Sequence, residues 1–395
     1  MIIKYFSHAI SFVSHSSFLV FTSLFPKKKD LWIFGAWEGK NYTDNTKFLY
    51  EYLKDKHPEK TYVWETKNID VFNDLKERHD NVVMFGTLQW FKTMTRAAAA
   101  FETEGDTDIG GFRPGRCKII QLWHGYGGKD CKWYKKDNTL VSIVKSIIFD
   151  DRKHACWMVP SEYAIESLKR NFDVEKKQCY LTGSPRNDYI KNPRDSKILT
   201  NLKEKYPNCK KIIAYMPTHR NFGRREEVTI TDANFSSIND FCMSHHYLFF
   251  FKPHFHEMKF YRENNLSFSN IEIADTESCP EYADLYSYLG HFDMLISDYS
   301  SVIYDFLCTE KPVILFPYDL EEYKKTDGVP KAYLDDPCGP MCFTWQEVFD
   351  CILRMDESDE WKGARERNRQ MIHLYNDGRN CERVYSTVLQ LINEK

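Results

Sequence analysis

No C-x-x-C pair occurs anywhere in the 395 residues, although the chain carries twelve cysteines. The closest two, Cys338 and Cys342, have no matching His or Cys cluster, so no metal site is expected. Scattered, unpatterned thiols in a chain this long read as reduced cysteines and point to a cytosolic environment. A basic excess is also lacking: the formal charge is −3, which argues against a dedicated nucleic-acid binder. No repeat of fixed period and no low-complexity tract stands out. What is there is globular in composition, with 42% hydrophobic and 28% charged residues. The length suits two α/β domains of about 150–200 residues each.

A long apolar run is missing as well. From Ala9 to Phe25 there is no Asp, Glu, Lys or Arg, and Lys27, Lys28 and Lys29 follow. This stretch is short beside the roughly 20 residues of a bilayer span, and His15 and several serines dilute it. The absence of a small-residue cleavage site argues against a removable signal peptide. Ile3, Phe6, Ile10, Val13, Val20 and Leu24 keep helical spacing and make one greasy face. Two readings follow: a helix lying in the membrane interface with lysines at the headgroups, or a helix buried on its own protein. The basic triplet favours the interface.

Beyond the lysines, short β-rich runs alternate with helical stretches. The predicted strands of the first half are Leu31–Gly35, Thr61–Glu65, Val82–Phe85, Ala98–Glu102, Lys118–Leu122, Trp157–Val159 and Cys179–Thr182. Those of the second half are Lys211–Met216, Tyr247–Phe251, Ile271–Ala274, Met294–Ser297 and Val313–Phe316. Strands separated by helix-length segments imply crossovers and parallel sheets, hence an α/β fold. The polar segment Lys191–Lys210, with Pro193 and Pro207, divides the series. The expected organisation is an N-terminal helix at 1–29, α/β domains at 30–192 and 193–356, and C-terminal helices at 357–395. Those last helices either finish the second domain or cross back over the first.

Four polar clusters stand immediately after predicted strands: His124 in HGYGGKD, Thr218-His219-Arg220, His254, and Asp298 with Ser300 and Ser301. In open parallel sheets, ligands bind outside the carboxyl ends of the strands, so all four share the functional edge. The segment Leu295–Leu307 reads as a buried strand, two serines and a helix, a geometry that suits a phosphate. Simple helix capping is the ordinary alternative for those serines. The glycines of HGYGGKD let the backbone approach a ligand, but the loop has neither Walker nor dinucleotide spacing. Arg220 offers a bidentate fork to phosphate oxygens, against the alternative of a surface salt bridge. His254 and His256 alternate along one extended segment, so only one faces a given site, and His254 lies nearer the strand end. Asp106-Thr107-Asp108 has the spacing of a metal-chelating D-x-D but reads as a solvated acidic turn.

Taken together, these segments resemble the CDP-glycerol glycerophosphotransferase family, enzymes that prime and polymerise teichoic acids and some capsules. GKNYTDNTKFLYEYL (Gly39–Leu53) resembles the family's opening segment with its Asp-Asn pair, and LWHGYGGKD its W-H-G loop. TGSPRNDYI (Thr182–Ile190) resembles its G-x-P-R-N-D signature, YMPTHR its A-P-T-W-R, and FKPH its K-P-H. ISDYSSVIYDF resembles its D-Y-S-S helix, and YNDGRNCERV (Tyr375–Val384) its closing D-G motif.

The resemblance implies a GT-B fold, two Rossmann-like parallel-sheet domains facing a central cleft, at the cytoplasmic face of the cell membrane. It implies His124 as the general base, with His254 as a second catalytic candidate. Thr218, Arg220, His254, Ser300 and Ser301 would hold the CDP pyrophosphate, with Asp298 and Asp305 shaping that site. Gly125, Lys129, Arg186, Asn187 and Asp188 would lie on the acceptor side, lining or bracing the cleft. The partners implied are a CDP-polyol donor, a lipid-linked or polymer acceptor with a free hydroxyl, and a membrane surface. No nucleic acid and no cofactor are expected.

The chain departs from the family pattern at Tyr126-Gly127-Gly128, where Thr-Pro-Leu is usual, at His219 for tryptophan and at Phe255 for proline. CDP-ribitol or another activated polyol is therefore an alternative donor. The rival readings are a GT-B glycosyltransferase using a nucleotide sugar and an inactive nucleotide-binding scaffold.

Overall fold

The computed structural model describes residues 2–125, 154–220, 232–254, 257–264, 267–326, 328–329 and 331–394. Lys129, the lysines of 132–136, Phe255 and His256 lie outside the described residues. The described chain forms two compact units, one of residues 2–125, 154–188 and 377–394, the other of 189–376. The helix Lys362–Ile372 belongs to the second unit and the helix Asn380–Asn393 to the first.

The first unit holds β1 (Lys28–Phe34), β2 (Thr61–Thr66), β3 (Val82–Met84), β4 (Ala97–Glu102), β5 (Lys118–Gln121), β6 (Cys156–Val159) and β7 (Cys179–Leu181). They form one parallel sheet in the order β3-β2-β1-β4-β5-β6-β7. The second holds β8 (Lys211–Met216), β9 (Tyr247–Phe251), β10 (Ile271–Ile273), β11 (Met294–Ser297) and β12 (Val313–Leu315), ordered β10-β9-β8-β11-β12. Each of the twelve predicted segments carries one of these strands. In both sheets the chain steps outward from its first strand and then returns to pair on that strand's other side. The reversal leaves a crevice between β1 and β4, and another between β8 and β11, at the carboxyl edge.

Both faces of the second sheet are buried, which is why its strands read as unbroken apolar runs. Successive side chains alternate between the faces: Ile212, Ala214 and Met216 join one core with Leu248, Phe250 and Leu295. Ile213 and Tyr215 join the other with Phe249, Phe251 and Ile296. The register sets Met216 beside Ser297, whose hydroxyl donates to the Met216 carbonyl at 2.6 Å. The next residues of both chains are thereby delivered to one spot.

In the first unit the helix Ile2–Ser23 lays Phe18 against Trp90, Phe91 and Phe112, with ring centroids 5.8, 6.0 and 5.1 Å away. Thr22 is fully buried and its hydroxyl accepts the Gly115 N–H at 2.7 Å. Only glycine permits this approach, because a Cβ at Gly115 would stand 1.9 Å from the Ser23 hydroxyl. Val13, Val20 and Leu24 stay exposed, at 61%, 63% and 74%. From Val13 to Leu24 the chain therefore buries one apolar face on its own protein and leaves another bare. No helix among the described residues is long and apolar enough to cross a membrane.

The lysine triplet is not a uniform headgroup anchor. Lys27 donates to the Met94 and Thr95 carbonyls, the orphan acceptors at the end of helix Leu88–Arg96, and burial lowers its pKa.

The last helix is clamped onto the first unit by Asp188, whose two oxygens accept the Asn380 and Cys381 N–H groups at 2.9 and 2.8 Å. Gly183, at φ +82°, makes room for Asn380, whose Oδ1 would lie 2.0 Å from any Cβ there. Asp188→Ala removes the acceptor from two donors at once. We expect a loss of about 1–3 kcal/mol in urea unfolding, against a change within error for Asp195→Ala on the exposed linker.

Candidate active site

At the β8/β11 crevice the chain turns into Pro217-Thr218-His219-Arg220 on one side and Asp298-Tyr299-Ser300-Ser301 on the other. Asp298 is fully buried and is the hub of this edge. It accepts the Thr218 N–H at 2.8 Å, the Thr218 hydroxyl at 2.7 Å and the Tyr299 N–H at 2.6 Å. The Arg220 guanidinium pairs with it at 2.7 Å. Four donors on one carboxylate offset the cost of burying its charge.

Arg220 departs from the expectation of a fork open to phosphate. Its Nε and Nη2 donate to Asp319 at 2.5 and 3.1 Å, and its Nη1 donates to the Thr218 carbonyl. The rings of Tyr299, Tyr318 and Tyr323 surround it at 5.1–5.3 Å, and only 8% of the residue is exposed. Burial alone would lower its pKa, but Asp298 and Asp319 outweigh that and raise it. Arg220 is a brace that ties three loops together. Thr218 likewise spends its donors on Asp298.

The serines also differ from the sequence reading. The helix after them spans only Val302–Phe306 before a 3-10 turn at Leu307–Thr309, too short for an appreciable macrodipole. Ser301 makes no side-chain cap, and the Ser300 hydroxyl meets the Val302 N–H at a long 3.4 Å. Both serines are half-buried, so their hydroxyls, not the helix, are the polar resource here. Asp305 is buried within that short helix. His254, after β9, stacks on His219 with centroids 4.7 Å apart and planes at 23°, and Glu257 stands 3.7 Å from the His219 Nδ1. Next to it Lys252 donates to the Tyr282 carbonyl at 2.9 Å, and burial brings its pKa down to about 8.

In the first unit, His124 follows β5, and its Nδ1 lies 3.3 Å from the Thr103 carbonyl oxygen. A carbonyl only accepts, so Nδ1 carries the proton and Nε2 keeps its lone pair. No described residue engages Nε2. Burial lowers the imidazole pKa below its usual value, with Asp44, the Thr103 carbonyl and Asp108 working against burial and Arg186 with it. The ring sits among the indoles of Trp123 and Trp37, at 4.2 and 5.5 Å. Arg186 is bound to Asp44 at 2.7 Å in a buried pair, and its own N–H donates to Asn45 at 3.0 Å. Asn187 is buried beside it, and Asp188 holds the last helix. Gly125 is the last described residue of that loop.

Asp108 corrects the reading of a solvated acidic turn. It is fully buried, accepting the N–H groups of Thr103, Glu104 and Glu38 and the Thr103 hydroxyl. Nearby, burial raises Glu65 to about 8 and Glu104 to about 7, so this edge carries less negative charge than its composition suggests.

Sequence reasoning missed Asp319, Glu257 and the roles of His219, Asp44 and Asn45. Asp319 follows β12 as the other clusters follow their strands, and that position alone would have flagged it. Replacing Arg220 with Met strands Asp298 and Asp319 without their cation. Urea unfolding should show a loss of about 3–5 kcal/mol, partly recovered by adding Asp298→Asn.

The model of the CDP-glycerol:poly(glycerophosphate) glycerophosphotransferase family matches residues 17–390. A teichoic acid glycerol-phosphate transferase of Staphylococcus aureus (strain NCTC 8325 / PS 47) is 26% identical over 96% of this chain and 98% of its own. A teichoic acid glycerol-phosphate primase of Bacillus spizizenii (strain ATCC 23059 / NRRL B-14472 / W23) is 30% identical over 70% of this chain and 69% of its own. The chain spans 46% of the teichoic acid poly(glycerol phosphate) polymerase of Bacillus subtilis (strain 168), at 24% identity. Among solved structures, the wall teichoic acid polymerase TagF shares the fold with a TM-score of 0.72 at 20% identity, over 93% of this chain and 90% of that one. The chain belongs to the CDP-glycerol:poly(glycerophosphate) glycerophosphotransferase family.

Proposed function

We propose that this chain moves a polyol phosphate, glycerol phosphate in the first place, from a CDP-polyol to an acceptor hydroxyl of a teichoic-acid-like polymer, releasing CMP. Family membership supports the reaction class, and the names of the relatives support glycerol phosphate as the transferred group. Two doubly wound parallel sheets and the likeness of fold to TagF support a GT-B architecture. The first unit would take the acceptor and the second the CDP donor.

The single observation that carries the mechanism is the Nδ1 contact of His124 with a carbonyl oxygen. It leaves Nε2 ready to accept a proton at neutral pH. Nε2 takes the acceptor's hydroxyl proton as that oxygen bonds to the phosphorus bearing the polyol. The bond from this phosphorus to the bridging oxygen breaks, and CMP leaves with that oxygen. The Ser300 and Ser301 hydroxyls and the stacked His254 and His219 are the groups proposed to face the donor phosphates. Arg220, Thr218 and Asp298 fix the loops that present them.

Because the neutral imidazole is the working form and its pKa is lowered, the acid limb of kcat/KM should fall below pH 6.5. His124→Ala should reduce CMP release by about 10²–10⁴-fold and abolish that limb, with CDP-glycerol binding retained. Unchanged turnover would remove His124 as the base.

A peripheral site on the cytoplasmic face of the membrane is proposed from the bare stripe of Val13, Val20 and Leu24 beside the exposed Lys28 and Lys29. Residues Phe18 and Thr22 hold the same helix to the protein, so substitution is a cleaner test than deletion. The triple variant Val13→Ser, Val20→Ser, Leu24→Ser should leave sedimenting vesicles of anionic lipid while keeping its unfolding midpoint. Equal sedimentation of both proteins would contradict membrane docking through this stripe.

A further inference from the structure

Among the described residues, three contacts define the setting of the His124 ring: the Thr103 carbonyl at Nδ1, the Trp123 indole and the Trp37 indole. Two of the three are set by neighbouring residues of one helix start, Asp44 and Asn45. The Trp37 Nε1 donates to Asp44 Oδ2 at 3.3 Å. Asn45 Nδ2 donates to the Trp123 carbonyl at 2.6 Å and to the Leu122 carbonyl at 3.4 Å. Arg186 closes the frame, giving Nη1 to Asp44 Oδ1 at 2.7 Å and its backbone N–H to Asn45 Oδ1 at 3.0 Å. The Asp44 and Arg186 side chains are 0% and 3% exposed.

Backbone conformation points the same way. Trp37, Glu38, Asp44 and Trp123 all adopt positive φ, at 49°, 58°, 65° and 49°. Such conformations are unfavourable for residues with a Cβ and persist only where the surroundings hold them. Loops needing only to close a turn there would be served by glycine. Here Trp37, Trp123 and Asp44, which all act on the ring, are held in that costly backbone state.

We propose that Asp44 is the positioning residue of His124, acting through Trp37 and, with Asn45 and Arg186, through the Trp123 segment to hold the imidazole in one orientation. This rests on the reading of His124 as the base. Among the described residues, the charged groups that act on the ring are Asp44 at the helix start, Asp108 in the turn after β4 and Arg186 from the segment after β7. Asp44 and Asp108 favour the imidazolium, while Arg186 and burial oppose it.

These signs separate positioning from mere structural support. Asp44→Asn deletes a favourable charge and leaves Arg186 in place, so the His124 midpoint should fall further from 6.5. A loop that had simply loosened would admit water and let the midpoint rise towards 6.5. The experiment follows the His124 ring in the full, ¹⁵N-histidine-labelled chain without substrate, assigned by its loss in His124→Ala. It is paired with kcat and KM for CDP-glycerol. We expect Asp44→Asn to lower the midpoint and to cut kcat by about 10–100-fold, with KM changed less than about threefold.

Trp37→Phe guards against an Asp44 variant that does not fold. It keeps an aromatic ring at an exposed position and removes the donor to Asp44 together with the smaller ring of the indole. It should mix the two imidazole tautomers and cut kcat several-fold. A midpoint that stays or rises in Asp44→Asn, or a single tautomer and full kcat in Trp37→Phe, overturns the proposal. Failure of the base reading looks different: His124→Ala then turns over normally, whatever the ring's titration does.

Discussion

In each unit the loops at the carboxyl edge of the sheet are tied by one buried Asp–Arg pair, and the polar groups of that edge depend on it. Asp298 with Arg220 joins the turns after β8, β11 and β12. Asp44 with Arg186 joins the segment after β1 to the segment after β7. Parallel strands deliver their ends to one edge without connecting them, so loops meeting there need an anchor stronger than backbone contact. A buried ion pair is a poor source of net stability, because desolvation offsets most of its attraction. It is effective at fixing geometry, since neither partner can leave without stranding the other. That is the service both pairs perform.

This arrangement divides labour within the motifs. Arg220, Thr218 and Asp298 saturate one another, and the half-buried Ser300, Ser301, His219 and His254 stand on the same loops without entering that network. In the first unit the same division separates Asp44, Asn45 and Arg186 from His124. Its Nδ1 proton is committed to a backbone carbonyl, while Nε2 keeps its lone pair. Carboxylates around Asp108 at the same edge would burden an anionic substrate if all were ionised. Burial instead holds Glu65 and Glu104 towards their neutral forms.

The strands were legible because a doubly covered parallel sheet writes itself as short apolar runs bounded by polar turns. The clusters after them were legible for the same reason. What those clusters do was not, because their partners are distant in sequence: Asp298 lies 80 residues from Thr218, and Asp319 lies 99 from Arg220. A fork aimed at phosphate and a fork aimed at two carboxylates have the same spelling. Asp108 was misread because its partners are mostly backbone N–H groups, which every sequence supplies equally. The helix after Ser301 reads as longer than it is, since Leu307–Thr309 tightens into a 3-10 turn before the positive φ of Glu310. At the N-terminus the spacing gave the helix but not its partner. Phe18 packs inward, while Val13, Val20 and Leu24 do not.

The central claim is the bond that breaks. The purified chain, given an acceptor-bearing membrane extract and a panel of CDP-glycerol, CDP-ribitol and UDP-sugars, should release CMP from a CDP-polyol with transfer of the polyol phosphate. Identification of the released nucleotide by mass tests this directly. CMP as product is the result this account predicts. Release of UDP or CDP, with a new glycosidic linkage in the acceptor, would contradict it.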